Sequence, residues 1–89
     1  MLEKKITITN KLGLHARSAA KLVSLASSFS SDIELKTQCK TANGKSIMSV
    51  MMLAAGQGTE ITLVIDGADE QAAWLALEIL ISRRFDEDC

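Results

Sequence analysis

The chain has one histidine, His15, in the stretch Lys11-Leu12-Gly13-Leu14-His15-Ala16-Arg17-Ser18, where an alternating apolar segment gives way to a helical one. A neutral imidazole nitrogen is nucleophilic near pH 7, and the phosphoramidate it forms with a phosphoryl group is a good donor onward. The start of a helix offers unpaired backbone N–H groups and roughly half a positive charge, so a dianion carried by the residue just before it meets donors already in place. Ala16, Arg17 and Ser18 are therefore the candidate phosphate-binding stretch. The Arg17 guanidinium adds a fork suited to phosphate oxygens, and Gly13 frees the backbone to make the turn. A carrier must also let go, which favours a partly exposed site with few donors over a buried cage. The residues alone fit equally a lone histidine that merely fills a turn with its ring in solvent.

The elements that must position this stretch can be read from periodicity. Residues 4–9 alternate, with Ile6 and Ile8 on one side and Lys5, Thr7 and Thr9 on the other, which predicts a half-buried strand. A helical pattern opens near Ala16, with Ala19, Ala20, Leu22, Val23, Ala26 and Phe29 at three- and four-residue steps, and serines close it. Ile33 and Leu35 alternate with Asp32, Glu34 and Lys36 in a second strand, with a polar partner strand expected over 37–42 that ends at Asn43-Gly44. Ser46 is a fitting N-cap for a short helix through Leu53. Ile61, Leu63 and Ile65 mark a fourth strand. Asp69 is placed to cap a last helix with the stripe Ala73, Trp74, Leu77, Leu80 and Ile81, and Arg83 and Arg84 suit its C-terminal end.

The order is βαββαβα. Right-handed crossovers then place the helices on one face, giving an α+β open-faced sandwich: a four-stranded antiparallel sheet covered on one side by three helices. A chain of 89 residues makes one domain, 1–89, because halves would lack a core. A composition 47% hydrophobic and 24% charged is that of a globular protein.

Formal net charge is −1, which gives no reason to expect a nucleic-acid partner, and two Phe, one Trp and no Tyr leave little on which bases could stack. No apolar run approaches the ~20 residues that span a bilayer, and the first residues do not read as a signal peptide, so no membrane partner and a cytoplasmic location are expected. Cys39, expected within a strand, and Cys89 at the chain end read as free thiols. With no CxxC or neighbouring histidine, neither metal nor cofactor is expected.

Gly13-Leu14-His15-Ala16-Arg17 with Ala19-Ala20 resembles the active-site signature of HPr, the histidine-containing phosphocarriers of the bacterial phosphotransferase system. The likeness continues through Lys45-Ser46-Ile47-Met48, Leu53, Gly58-Thr59-Glu60-Ile61-Thr62 and Gly67-Ala68-Asp69-Glu70, nearly the whole chain at matching spacing. It implies a non-enzymatic carrier in which His15 takes a phosphoryl group on its δ1 nitrogen from enzyme I, itself charged by phosphoenolpyruvate, and passes it to an enzyme IIA domain. Arg17 by the same match assists at the phosphate. One departure falls inside the signature: the family pattern has Pro after the Arg, and this chain has Ser18. A serine there loosens a restraint on the first helical turn, restores an N–H, and adds a hydroxyl able either to hold phosphate or to cap the helix.

Ser46 matches the serine that a dedicated ATP-dependent HPr kinase/phosphorylase modifies in many such proteins, and it also reads simply as an N-cap. The stretch Ile47, Met48, Val50, Met51, Met52 and Leu53 holds more apolar residues than one buried stripe can use, which makes Ile47, Met48 and Met51 candidates for a partner-binding patch. Two other functions stand beside the sugar-branch carrier. One is a regulatory carrier of the nitrogen-branch type, which Asn10-Lys11-Leu12-Gly13 and the acidic end Phe85-Asp86-Glu87-Asp88 resemble; the other is a small-molecule-binding α+β module in which His15 is incidental.

Overall fold

A computed structural model describes residues 1–86, with the Asp86 side chain excluded. The elements run β1 (Leu2–Thr7), α1 (Ala16–Ser27), β2 (Asp32–Lys36), β3 (Thr41–Asn43), α2 (Ile47–Met52), β4 (Glu60–Asp66) and α3 (Glu70–Ser82), then a single 3-10 turn over Arg84–Asp86. Strands lie in the order β1-β4-β2-β3, every neighbouring pair antiparallel. β4 thus inserts between β1 and β2, and β2 between β4 and β3. Each of the connections through α1 and α2 must cross over a strand, as the split pattern requires.

Alternation decides which face the helices cover. Ile33, Leu35, Ile61, Leu63 and Ile65 are buried, while their neighbours Asp32, Glu34, Glu60 and Asp66 are exposed on the open side. Leu22 and Ala26 of α1, Val50 of α2, and Leu77 and Ile81 of α3 complete one core against the buried row.

Several boundaries differ from the sequence reading. β1 starts at Leu2 and ends at Thr7, although Ile8 beyond it is still fully buried and bonded to the Thr59 carbonyl at 2.9 Å. The third strand begins only at Thr41. Thr37 closes a turn by donating its N–H to the Lys40 carbonyl at 2.8 Å and accepting the Lys40 N–H on its hydroxyl at 3.2 Å. Cys39 therefore sits exposed in that turn rather than in a strand, and Cys89 lies outside the described residues. Arg83 is the C-cap of α3, and Arg84 belongs to the turn beyond. That turn drives Phe85, read above as part of an acidic end, completely into the core, where the Lys21 ammonium donates to its carbonyl at 2.6 Å.

Asp69 occupies the N-cap position of α3, yet its side chain makes no capping bond. Its carboxylate instead accepts the Ser30 N–H at 2.9 Å, the Ser31 N–H at 3.0 Å and the Ser31 hydroxyl, clasping the α1–β2 loop to the start of α3. The Ser31 hydroxyl and then the Ser30 N–H hold the carboxyl down to about 2. An unfolded aspartate titrates near 3.9, so the clasp acts fully above that pH and is lost as pH falls through the folded value. Asp69→Asn should accordingly flatten the acid limb of the stability curve between about pH 4 and pH 2. Urea midpoints collected across that window provide the check, and an acid limb as steep as that of the parent would refute the clasp.

Candidate phosphoryl-transfer site

Gly13, Asn10 and Leu14 shape the turn that carries His15. Gly13 stands at φ 68°, in the left-handed region that favours glycine, and a Cβ there would press on the Ala55 carbonyl oxygen and come within 2.6 Å of Gly56 Cα. The fully buried Asn10 amide donates to the Gly13 carbonyl at 2.7 Å, and the Asn10 carbonyl accepts the Gly13 N–H at 3.2 Å. Leu14 points into the core, and its N–H reaches the Ala55 carbonyl at 2.8 Å. The turn is thus fixed below by apolar packing and at its side by the loop after α2.

His15 emerges from that turn as the N-cap of α1, with extended backbone and a half-buried side chain. Its Nδ1 accepts the Arg17 N–H at 3.3 Å. A reciprocal capping box links His15 to Ser18: the ring accepts the Ser18 N–H, and the Ser18 hydroxyl accepts the His15 N–H at 2.9 Å. A nitrogen that accepts N–H bonds carries a lone pair, which assigns the ring proton to Nε2 and leaves the Nδ1 lone pair facing the head of α1. The head of the helix thus supplies two N–H donors to this one nitrogen.

Ala16 and Arg17 are exposed, Arg17 in the first helical turn beside Nδ1. Ser18 is fully buried, and its hydroxyl also donates to the Gly13 carbonyl at 2.8 Å. Of the two uses considered for that hydroxyl, capping is the one seen. Any phosphate contact by Ser18 falls to its N–H.

Ser46 caps α2, its hydroxyl accepting the Ser49 N–H at 3.3 Å. Of the candidate patch, Ile47 is 43%, Met48 68% and Met51 38% exposed. α2 packs on α1, and the chain leaving α2 reaches Ala55, whose carbonyl accepts the Leu14 N–H next to His15. Ser46, at the opposite end of this short helix, is about 9 Å further along by helical rise. Two apolar residues of this surface escaped nomination. Leu12 is 69% exposed in the His15 turn, and Met52 is 68% exposed at the end of α2. The available signal for Leu12 was an apolar side chain at a turn position that ordinarily takes a polar one.

An imidazole whose Nδ1 accepts two amides at a helix start, displayed on an open-faced α+β sandwich, is an arrangement suited to carrying a phosphoryl group. Comparison with known proteins agrees: the family description "PTS HPr component phosphorylation site" matches residues 2–83, and the chain belongs to the HPr family of phosphocarriers of the phosphotransferase system. It is 56% identical to the phosphocarrier protein HPr of Xylella fastidiosa over 88 residues, covering 99% of each chain. Against the HPr of Cupriavidus necator the identity is 53% over 87 residues, covering 98% of each. Its fold matches the crystal structure of HPr from Thermoanaerobacter tengcongensis with a TM-score of 0.95 at 46% identity, covering all of both chains. Among the described residues no helix is long and apolar enough to cross a membrane.

Proposed function

We propose that His15 accepts a phosphoryl group on Nδ1 from enzyme I, charged by phosphoenolpyruvate, and surrenders it to an enzyme IIA domain. The observation that carries this reading is the orientation of the ring, whose Nδ1 already receives the Arg17 N–H. In the forward step the Nδ1 lone pair forms the N–P bond while the bond from phosphorus to the donor breaks, its electron pair leaving with the donor. The Nε2 proton then passes to water. Arg17 and the amides at the head of α1 neutralise the phosphoryl oxygens, and the exposed setting keeps their grip weak enough for the reverse attack by the next acceptor. Incubation with enzyme I and phosphoenolpyruvate tests the reading: it requires an acid-labile mass gain of one phosphoryl group, and an unmodified chain opposes it.

Enzyme I and enzyme IIA must both reach the same nitrogen, so one apolar docking patch serves both. Ile47, Met48 and Met51 form that patch, and unbranched Met side chains adapt to partners of different shape. Met48→Glu places a charge where a partner would bury a thioether and should weaken enzyme I binding by about 2 kcal/mol, roughly thirtyfold in Kd. Calorimetric titration measures it; unchanged affinity with a normal melt would remove Met48 from the interface.

Phosphorylation of Ser46 by an HPr kinase/phosphorylase belongs to the same proposal. The hydroxyl lies at the head of α2, where a phosphate meets favourable helix charge and amide donors. Modification would add about −2 charge at the edge of the Ile47–Met48 patch without unfolding the helix.

A further inference from the structure

The Ser18 N–H has no counterpart where the family pattern places Pro, and it points at the reacting nitrogen. We propose that this amide is an additional hydrogen-bond donor to the phosphoryl oxygens, and that it makes this chain hold its phosphoryl group more tightly than a Pro-bearing carrier would. The inference rests on phosphorylation of His15 Nδ1 as set out above.

In the free protein Nδ1 accepts N–H groups from both Arg17 and Ser18. Once the N–P bond forms, the lone pair is consumed and both donors need a new partner. The Arg17 amide lies on an exposed residue, where water can serve. Ser18 is fully buried, so its N–H either takes a phosphoryl oxygen or goes without. Its place on the same turn, aimed at the atom to which phosphorus is attached, makes the phosphoryl oxygen the available acceptor. A charge-assisted bond of this kind is about twice as strong as the neutral N–H···N bond it replaces, which favours the phosphorylated state.

The Ser18 hydroxyl has a separate, positioning task. It accepts the His15 N–H at 2.9 Å and donates to the Gly13 carbonyl at 2.8 Å, tying the helix start to the backbone of the turn without touching the ring. Proline removes both amide and hydroxyl, whereas alanine removes the hydroxyl alone. The two substitutions therefore separate the roles.

The parent chain, Ser18→Pro and Ser18→Ala are each brought to equilibrium with enzyme I at fixed ratios of phosphoenolpyruvate to pyruvate, and the phosphorylated fraction is read by mass. Ser18→Pro should shift the equilibrium toward the free protein by about three- to tenfold, and Ser18→Ala by less than about twofold. Equal constants for parent and Ser18→Pro overturn the proposal, as does an Ser18→Ala shift as large as that of Ser18→Pro. Amide NMR of the parent adds a readout that needs no variant: the Ser18 proton should move downfield on phosphorylation, and an unmoved Ser18 resonance also overturns it. Failure of the parent to take up phosphate at all would strike instead at the assignment of His15.

Discussion

His15→Ala should abolish phosphoryl uptake from enzyme I, by at least about three orders of magnitude, the scale on which loss of a nucleophile registers. Nothing else within the His15 turn offers a nucleophilic nitrogen with its lone pair turned to a helix start. The fold survives because the ring is half-buried at the surface and the core lies beneath Leu14. Loss of the N-cap costs about 1 kcal/mol. Mass spectrometry under alkaline conditions, paired with a thermal melt, separates the two effects. Retained acid-labile phosphate in the variant would place the acceptor elsewhere.

Gly13→Ala should be nearly as damaging by another route. The residue pays the left-handed penalty of about 1–2 kcal/mol, and the new Cβ must also displace the Ala55–Gly56 backbone. Together these effects should lower stability by about 3 kcal/mol. Moving the turn tilts His15 away from the amides of α1, and a misplacement of about 1 Å at a reacting atom costs roughly a hundredfold in rate. The signature of this mechanism is a double loss, in urea midpoint and in initial rate of phosphorylation. A variant with parental stability and rate would mean that the close approach of Gly13 to Ala55 is not maintained in solution.

Much of this architecture could be read in the sequence because the periods were clean. Ile61, Leu63 and Ile65 alternate without interruption, and α1 carries its buried residues at helical steps, so strand, helix and order all followed. The site was legible for the same reason: His15 falls between a strand period and a helix period. The structure departs from the pattern where other partners, distant or local, outcompeted the one the pattern suggested. Asp69 looks like a cap in isolation, but two amides and a hydroxyl from the α1–β2 loop compete for its carboxylate and win. Thr37 to Lys40 are polar enough for an edge strand, yet they close a turn on themselves. Asn10 reads as an ordinary turn residue, and only the folded chain shows its amide buried and pinning the Gly13 carbonyl. Phe85 sits among charges, so its burial depends on α1 and α3 being adjacent, which no local pattern encodes.

The resemblance to HPr supplied what periodicity lacked, namely the transferred group and the ring nitrogen proposed to take it. Geometry supplies the physical reason for that nitrogen: Nδ1 is the one that the Arg17 amide addresses. The position of the phosphorus on the ring is therefore the most direct test. Long-range 1H–15N correlation spectra of the chain phosphorylated by enzyme I identify the substituted nitrogen of His15. The account predicts a phosphoryl group on Nδ1, with Nε2 unsubstituted; phosphorus on Nε2, or an unmodified His15 in a phosphorylated chain, would contradict it.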